Sequence, residues 1–213
     1  MKSSRESSAV GIPVLQGRED VNGRRQRGFT LIELTIVGLI IAVIAVVAVP
    51  RVRDLVVDAR VAGVARDVEV AALKIMQARE GMTPMFSHGG AMNAEFGAAL
   101  RATGGTSLSM TSTVASGVSH PLGSGAGLAE VEVFGWTISS PGDVMVVTLH
   151  YLSPAACARL VHLLAPRAHA VNRTTRAWGD WAWLKPPGGQ LDAAQVAVDC
   201  DTTGDRTLQF WYQ

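Results

Sequence analysis

The chain has 213 residues, of which 48% are hydrophobic and 17% charged, with 19 Lys and Arg against 18 Asp and Glu. This length fits one domain with appended segments and excludes a large multidomain enzyme. The apolar fraction is too high for a disordered chain. A formal net charge of +1 without a long basic run gives no sign of a nucleic-acid-binding surface, so no nucleic-acid partner is expected.

A long apolar segment, residues 29–49, follows a basic cluster near the N-terminus. The cluster consists of Arg24, Arg25 and Arg27. About 21 helical residues span roughly 30 Å, the thickness of the hydrocarbon core of a bilayer. We therefore expect the segment to cross a membrane, with the basic flank in the cytoplasm and everything after Pro50 on the far side. A cleaved secretory signal ending near Ala45 and Ala48 is the alternative.

Glu33 is unusual in this segment, because a carboxylate near the start of a membrane helix is costly without a partner. It lies in the sequence RGFTLIEL at residues 27–34. This sequence resembles the cleavage and methylation motif of type IV prepilins and of type II secretion pseudopilins. The resemblance implies that a prepilin peptidase cuts after Gly28 and methylates the new N-terminus at Phe29.

The resemblance also implies a role for Glu33 in a filament. Cleavage leaves the Phe29 amine at the membrane edge, and a buried charge is tolerated only when it is paired. We expect Glu33 of one subunit to pair with the Phe29 amine of its neighbour and so to set the axial register. The alternative is an uncleaved signal anchor whose Glu33 side chain reaches the membrane interface.

The second part of the predicted helix is amphipathic. Pro50 removes a backbone donor, so a kink or a local melt is expected there. Beyond it, apolar residues recur at intervals of three and four, which predicts a helix to about Arg79, stopped by Gly81 and Pro84. These apolar residues are Val57, Val61, Val64, Val68, Ala72 and Ile75.

The remainder of the chain predicts a globular head. Residues 103–127 are rich in Gly, Ser and Thr and are interpreted as a loop. Residues 130–138 and 144–151 predict a hairpin around a Pro-Gly turn, and Ser153 and Pro154 open a short helix to about Leu164. The closing strands are expected at residues 195–200 and 207–212.

These elements predict an α+β chain: a long N-terminal helix packed against a C-terminal antiparallel sheet, which the resemblance identifies with the type IV pilin fold. The expected segments are a cleaved leader at 1–28, a helix at 29–80 and a head at 81–213. Within the helix, residues 29–49 are the membrane anchor and filament core, and residues 50–80 are the amphipathic spine.

Two cysteines, Cys157 and Cys200, lie outside the cytoplasm in this topology, where an even count favours a disulfide. The alternative is a catalytic cysteine polarised by His150 or His162.

The C-terminal part of the chain resembles the pattern of type IVb major pilins, in particular those of plasmid-borne thin pili. The stretches that carry this resemblance are residues 152–160, 171–172, 200–201 and 204–210. A leader of 28 residues agrees with that class, whereas Phe29 departs from it.

Two further clusters suggest ligand sites. The first cluster resembles the start of a calcium loop and consists of Asp199, Asp201 and Asp205. Phe210, however, occupies the position at which such a loop has a bidentate acidic ligand. A turn is therefore the better interpretation of these residues. Three tryptophans are close in sequence and fit a carbohydrate or partner platform, with core packing and subunit contact as the favoured alternatives. They are Trp178, Trp181 and Trp183.

The sequence therefore predicts a structural subunit and no enzyme, metal site or cofactor. The expected partners are further copies of the chain, the prepilin peptidase, the inner-membrane pilus assembly machinery and minor pilins. The protein is expected in the bacterial inner membrane before assembly and in an extracellular pilus afterwards. A type II secretion pseudopilin and a membrane-anchored binding module that never polymerises are the alternatives.

Overall fold

The structure is a computed structural model that describes residues 29–82, 85–86, 91–111, 116–123, 129–140, 142–174, 181–201 and 206–213. The predictions made for Arg24, Arg25, Arg27, Gly28, Trp178 and Asp205 lie outside these residues. The described helices are α1 (Leu31–Arg79), α2 (Asn93–Thr103), α3 (Pro154–Leu164) and α4 (Ala193–Asp201). The described strands are β1 (Ser109–Met110), β2 (Val118–Ser119), β3 (Val131–Trp136), β4 (Val144–Leu149), β5 (Ala170–Thr174), β6 (Trp181–Lys185) and β7 (Thr207–Tyr212).

The chain divides into two compact units, Met1–Ala45 and Val46–Gln213, and α1 contributes residues to both. By length and composition α1 can cross a membrane, with an apolar window of mean hydropathy 2.9 that has no buried residue. Pro50 lies inside the helix, which continues on both sides of it. The expectation of a local melt at Pro50 is therefore wrong, and the kink stays a prediction.

The C-terminal part of α1 contributes one face to the core of the second unit. Five residues of the predicted apolar stripe are buried, and Val57 is half-buried against the same core. The five are Val61, Val64, Val68, Ala72 and Ile75. This confirms the amphipathic helix, which ends at the predicted Arg79.

The main sheet of the described chain has five antiparallel strands in the order β3-β4-β7-β5-β6. Its inner face shares a core with α1 to α4, so the predicted α+β class is confirmed. The predicted hairpin is β3 and β4.

Asp143 lies in the connection between β3 and β4. Burial alone would raise the pKa of its carboxyl group. Hydrogen bonds from the Ser139 hydroxyl and from the backbone N–H groups of Ile138, Ser140 and Ser139 instead lower this pKa below its usual range.

The strand predicted at residues 195–200 is wrong, because this segment is part of helix α4. Asp192 Oδ1 accepts the backbone N–H groups of Ala194 and Gln195, each at 3.0 Å, as an N-terminal cap does. The buried side chains have the helical spacing of three and four, and they are Val196, Asp199 and Cys200. Cys200 thus lies in a helix and not at the end of a strand.

Several elements of the structure were not predicted from the sequence. α2, β5 and β6 were not expected, and the short pair β1–β2 lies within the segment interpreted as a loop. In contrast, α3 begins as predicted: Pro154 is its first residue, and the Ser153 hydroxyl accepts the Ala156 N–H at 3.4 Å.

Candidate functional site

The candidate site is the start of α1, where Thr30 and Glu33 form a reciprocal pair. Glu33 Oε2 accepts hydrogen bonds from the Thr30 backbone N–H and from the Thr30 hydroxyl, both at 2.9 Å. The Glu33 N–H in turn donates to Thr30 Oγ1 at 3.3 Å. This arrangement is a capping box, which satisfies backbone donors that the first turn of a helix leaves without partners.

The capping box gives Glu33 a local partner that was not predicted from the sequence. The signal was present as a threonine followed three residues later by a glutamate, just before an apolar run. The N-terminal end of the helix dipole also favours a negative charge. Glu33 is thus hydrogen-bonded to Thr30, the residue that follows Phe29, and Phe29 is 86% exposed.

The N-terminal half of α1 presents large apolar side chains on all its faces. Exposed examples from its beginning, middle and end are Leu31, Ile40 and Val49. A soluble monomer rarely exposes so extended an apolar surface, and such surfaces mark membrane or protein contacts. The helix therefore provides an apolar segment with a capped carboxylate at its first turn.

Residues 23–49 match the prokaryotic N-terminal methylation motif. The match includes the junction of Gly28 and Phe29, the capping box and the apolar part of α1. Comparison with curated proteins gives no match. A solved structure that is similar is TcpA, a type IV pilin from Vibrio cholerae El Tor biotype, at 15% identity and a TM-score of 0.46, covering 72% of this chain and 99% of that chain.

The two cysteines are joined as predicted. The disulfide between Cys157 and Cys200 links α3 to α4, with a Cα–Cα distance of 5.6 Å. Both residues are buried. Because the chain has two cysteines and both are in the disulfide, the alternative of a catalytic thiol is contradicted.

The described aspartates of the suspected calcium loop have structural environments. Asp199 is buried and lies 3.1 Å from Arg173 Nε, and it accepts a hydrogen bond from Gln195 Nε2 at 2.9 Å. Asp201 is exposed. Within the described residues, no group of three or more His, Cys, Asp or Glu side chains is placed to hold a metal ion.

Two of the three tryptophans are described, and they lie on β6 with different surroundings. Trp183 packs edge-on against Trp211 at 5.3 Å between ring centroids. Trp181 instead lines a cavity with residues of β3. The two side chains are two residues apart on β6 and so lie on the same face of the sheet.

Proposed function

We propose that the chain is the structural subunit of a type IV pilus, of the IVb class. The observation that carries the proposal is the N-terminal methylation motif at residues 23–49, which ends in the exposed apolar half of α1. A filament subunit needs a helix that can be held in a bilayer before assembly and that can later pack against neighbouring subunits. It also needs a motif for processing at the N-terminus of that helix.

The proposed pathway begins in the inner membrane, with α1 inserted and residues 1–28 in the cytoplasm. The prepilin peptidase cuts between Gly28 and Phe29 and methylates the Phe29 amine. The inner-membrane assembly machinery, with minor pilins, then moves the subunit into a helical homopolymer on the cell surface. Apolar side chains exposed on α1 leave the lipid and pack against the same helix of neighbouring subunits.

The capping box defines the proposed role of Glu33 in this polymer. Thr30 satisfies the carboxylate within one chain, so Glu33 can enter the membrane before any neighbour is present. In the filament, the methylated Phe29 amine of an adjacent subunit supplies the positive charge. The carboxylate then fixes the axial position of one subunit on the next, because an unpaired charge in the apolar core is costly.

The first experiment compares protein sheared from the cell surface with the membrane fraction by mass spectrometry. We expect abundant sheared protein that begins at N-methylated Phe29 and carries the Cys157–Cys200 disulfide. Processed protein that stays in the envelope would instead support a type II secretion pseudopilin. An uncut chain that retains residues 1–28 would contradict both and leave a membrane-anchored binding module.

A pair of variants at Glu33 separates charge pairing from helix capping. Glu33→Ala removes both, whereas Glu33→Gln keeps an oxygen that accepts the Thr30 hydrogen bonds but removes the charge. We expect both variants to be processed and neither to assemble. Normal filaments from Glu33→Gln would show that the capping box is sufficient and would overturn the proposed pairing with the Phe29 amine.

A further inference from the structure

The groove between α1 and α3 forms a cavity of about 420 Å³ on the surface of the second unit. Its lining on the α1 side includes Ala62, Ala65 and Arg66. On the other side it includes Leu163 and, in the turn after α3, Arg167. Leu163 is 48% exposed, although its side chain is large and apolar. Neither insertion of α1 into a membrane nor cleavage after Gly28 involves this groove.

The α1 residues along the groove form a stripe of their own, beside the stripe that enters the core. The stripe continues past this cavity into a second one of about 320 Å³ further along the helix. Its members, separated by four, three, four and three residues, are Ala62, Arg66, Glu69, Leu73 and Met76. Leu73 is 50% exposed. This heptad spacing is what one helix presents to another, so the groove fits a helix as its occupant.

The groove carries a positive charge that has no counter-charge within the described part of the chain. Arg167 forms an ion pair with Glu69, so these two charges compensate each other. Arg66 is exposed at the α1 wall, and none of the ion pairs between described residues includes it. The exposed His162 lines the opposite wall and adds a positive charge whenever it is protonated. The expected occupant is therefore an apolar helix face with an acidic group.

Helix α4 has such a face on its exposed side. Its members have the helical spacing of three and four, and they are Ala194, Ala197, Val198 and Asp201. Val198 is 62% exposed. Asp201 is the last residue of the helix, where the helix dipole disfavours a negative charge. None of the ion pairs between described residues includes Asp201, so it too has a charge that a partner can compensate.

We propose that α4 of one copy of the chain docks in the α1–α3 groove of the next copy. This inference rests on the proposed pilus function and adds a contact between the heads of adjacent subunits. In this contact Val198 packs against Leu163, and Asp201 pairs with Arg66. The two exposed alanines of α4 let the helices approach closely, because the distance between helix axes depends on the side chains at the contact.

The contact joins two different surfaces of the chain, since no residue of α4 is among the described residues that line the groove. A contact of this kind is heterologous, and each added copy leaves one groove and one α4 open at the ends. It therefore repeats along an open polymer. A contact of α4 with a second α4 would instead close at two copies, which a pilus does not do.

The first test is an exchange of charges, read as the amount of filament sheared from the cell surface. Asp201→Arg and Arg66→Asp each place like charges against each other, so we expect each to reduce the sheared protein about tenfold. The double variant restores an opposite pair and should recover at least about half of the wild-type amount. Equal losses in the single and double variants would overturn the proposed pair.

The matched controls are Glu80→Arg and Arg101→Asp. Both positions are exposed, and neither lines the groove or lies on α4, so these variants should assemble as the wild type does. Normal assembly of Asp201→Arg and Arg66→Asp would overturn the α4 contact and leave the proposed pilus function intact. A wild type that is never sheared from the surface as filament would contradict the pilus function and this contact with it.

A photocrosslink tests the contact without changing its charges. Val198 is replaced by p-benzoylphenylalanine, the sheared filaments are irradiated, and crosslinked dimers are digested with trypsin for mass spectrometry. We expect the adduct on residues 160–167, which include Leu163, or on residues 61–66 of α1. The same probe at Met110, which is exposed on β1, should not label these peptides. Should Asp201→Arg fail to form the Cys157–Cys200 disulfide, this crosslink decides, and an adduct that lies elsewhere would overturn the proposal.

Discussion

Asp67 in α1 and Ser107 in the loop after α2 are joined by a hydrogen bond of 2.7 Å from the Ser107 backbone N–H to Asp67 Oδ2. The same oxygen accepts the Leu108 N–H at 3.2 Å. Asp67 is 8% exposed, and a buried carboxylate is tolerated when backbone donors satisfy it. Gly105 lies so close that a Cβ atom there would be 3.2 Å from Asp67 Oδ2. The carboxylate therefore fixes the loop to the spine helix.

Replacing Asp67 with Ala should lower the free energy of unfolding by about 1–3 kcal/mol, because the buried Leu108 N–H and the part-buried Ser107 N–H lose their acceptor. Asp67→Asn keeps an acceptor oxygen and should lose less. The measurement is urea unfolding, with amide exchange at Ser107 as the local readout. The control Glu80→Ala, at an exposed position, should stay within about 0.5 kcal/mol. An Asp67→Ala loss no larger than this would contradict the assigned role.

His120 is a buried histidine whose hydrogen bonds require the neutral ring. The Leu122 N–H donates to His120 Nδ1 at 3.2 Å, so the ring proton is on Nε2, which donates to the His150 carbonyl at 2.8 Å. Burial lowers the pKa of His120 from its ordinary 6.5 to about 4, against the opposing effect of the hydrogen bond to His150. Protonation would place a second N–H against the Leu122 donor.

The free energy of unfolding should therefore fall as the pH is lowered. Between pH 6.5 and about 4 the unfolded chain binds a proton at His120 that the folded chain does not, which costs about 3 kcal/mol in all. His120→Gln should flatten this dependence, measured by urea unfolding at a series of pH values. The exposed control His162→Gln should keep the wild-type slope. If the free energy of unfolding depended on pH in the same way in the wild type and in His120→Gln, this role for His120 would be ruled out.

The parts of the fold that local patterns determine could be predicted from the sequence. The stripe ending at Ile75, the β3–β4 hairpin and the Ser153 cap each depend on residues within one element or turn. The methylation motif is likewise a local signal, in which Gly28 and Glu33 are five residues apart. These features were found because their periodicity or capping does not depend on distant contacts.

The features that were missed depend on contacts between distant residues or on competing local signals. The strand expected at residues 195–200 is part of a helix, because the cap at Asp192 begins one, and Val198 is left 62% exposed. Strand β5 is defined by its pairing with β7. Trp181 and residues of β3 line one cavity, and no spacing in the sequence indicates that they do.

The disulfide between Cys157 and Cys200 should contribute strongly to stability. The cysteines are 43 residues apart, and closing a loop of that length reduces the entropy of the unfolded chain by an amount worth about 4 kcal/mol. The double variant Cys157→Ser/Cys200→Ser should lose a free energy of unfolding of that order in urea titrations. Because both sulfurs are buried, mild reductant without urea should leave the wild type oxidised. Rapid reduction of the native protein would contradict the buried position.

Three polar side chains form a row on adjacent strands of the sheet. Gln209 on β7 pairs in register with Thr148 on β4 and with Asn172 on β5. All three are fully buried. In the part of the chain that the structure describes, Thr148 Oγ1 and the amide atoms of Asn172 and Gln209 have no hydrogen-bond partner. Each such group costs free energy in the folded state.

Replacing Gln209 with Met should therefore raise the free energy of unfolding by about 1–2 kcal/mol, because methionine has a similar shape and removes both unpaired amide atoms. Urea unfolding followed by tryptophan fluorescence measures the change. Gln190→Met, at an exposed position, is the control and should change stability by less than about 0.5 kcal/mol. A loss of stability in Gln209→Met would contradict the prediction that removing the unpaired amide atoms stabilises the folded protein.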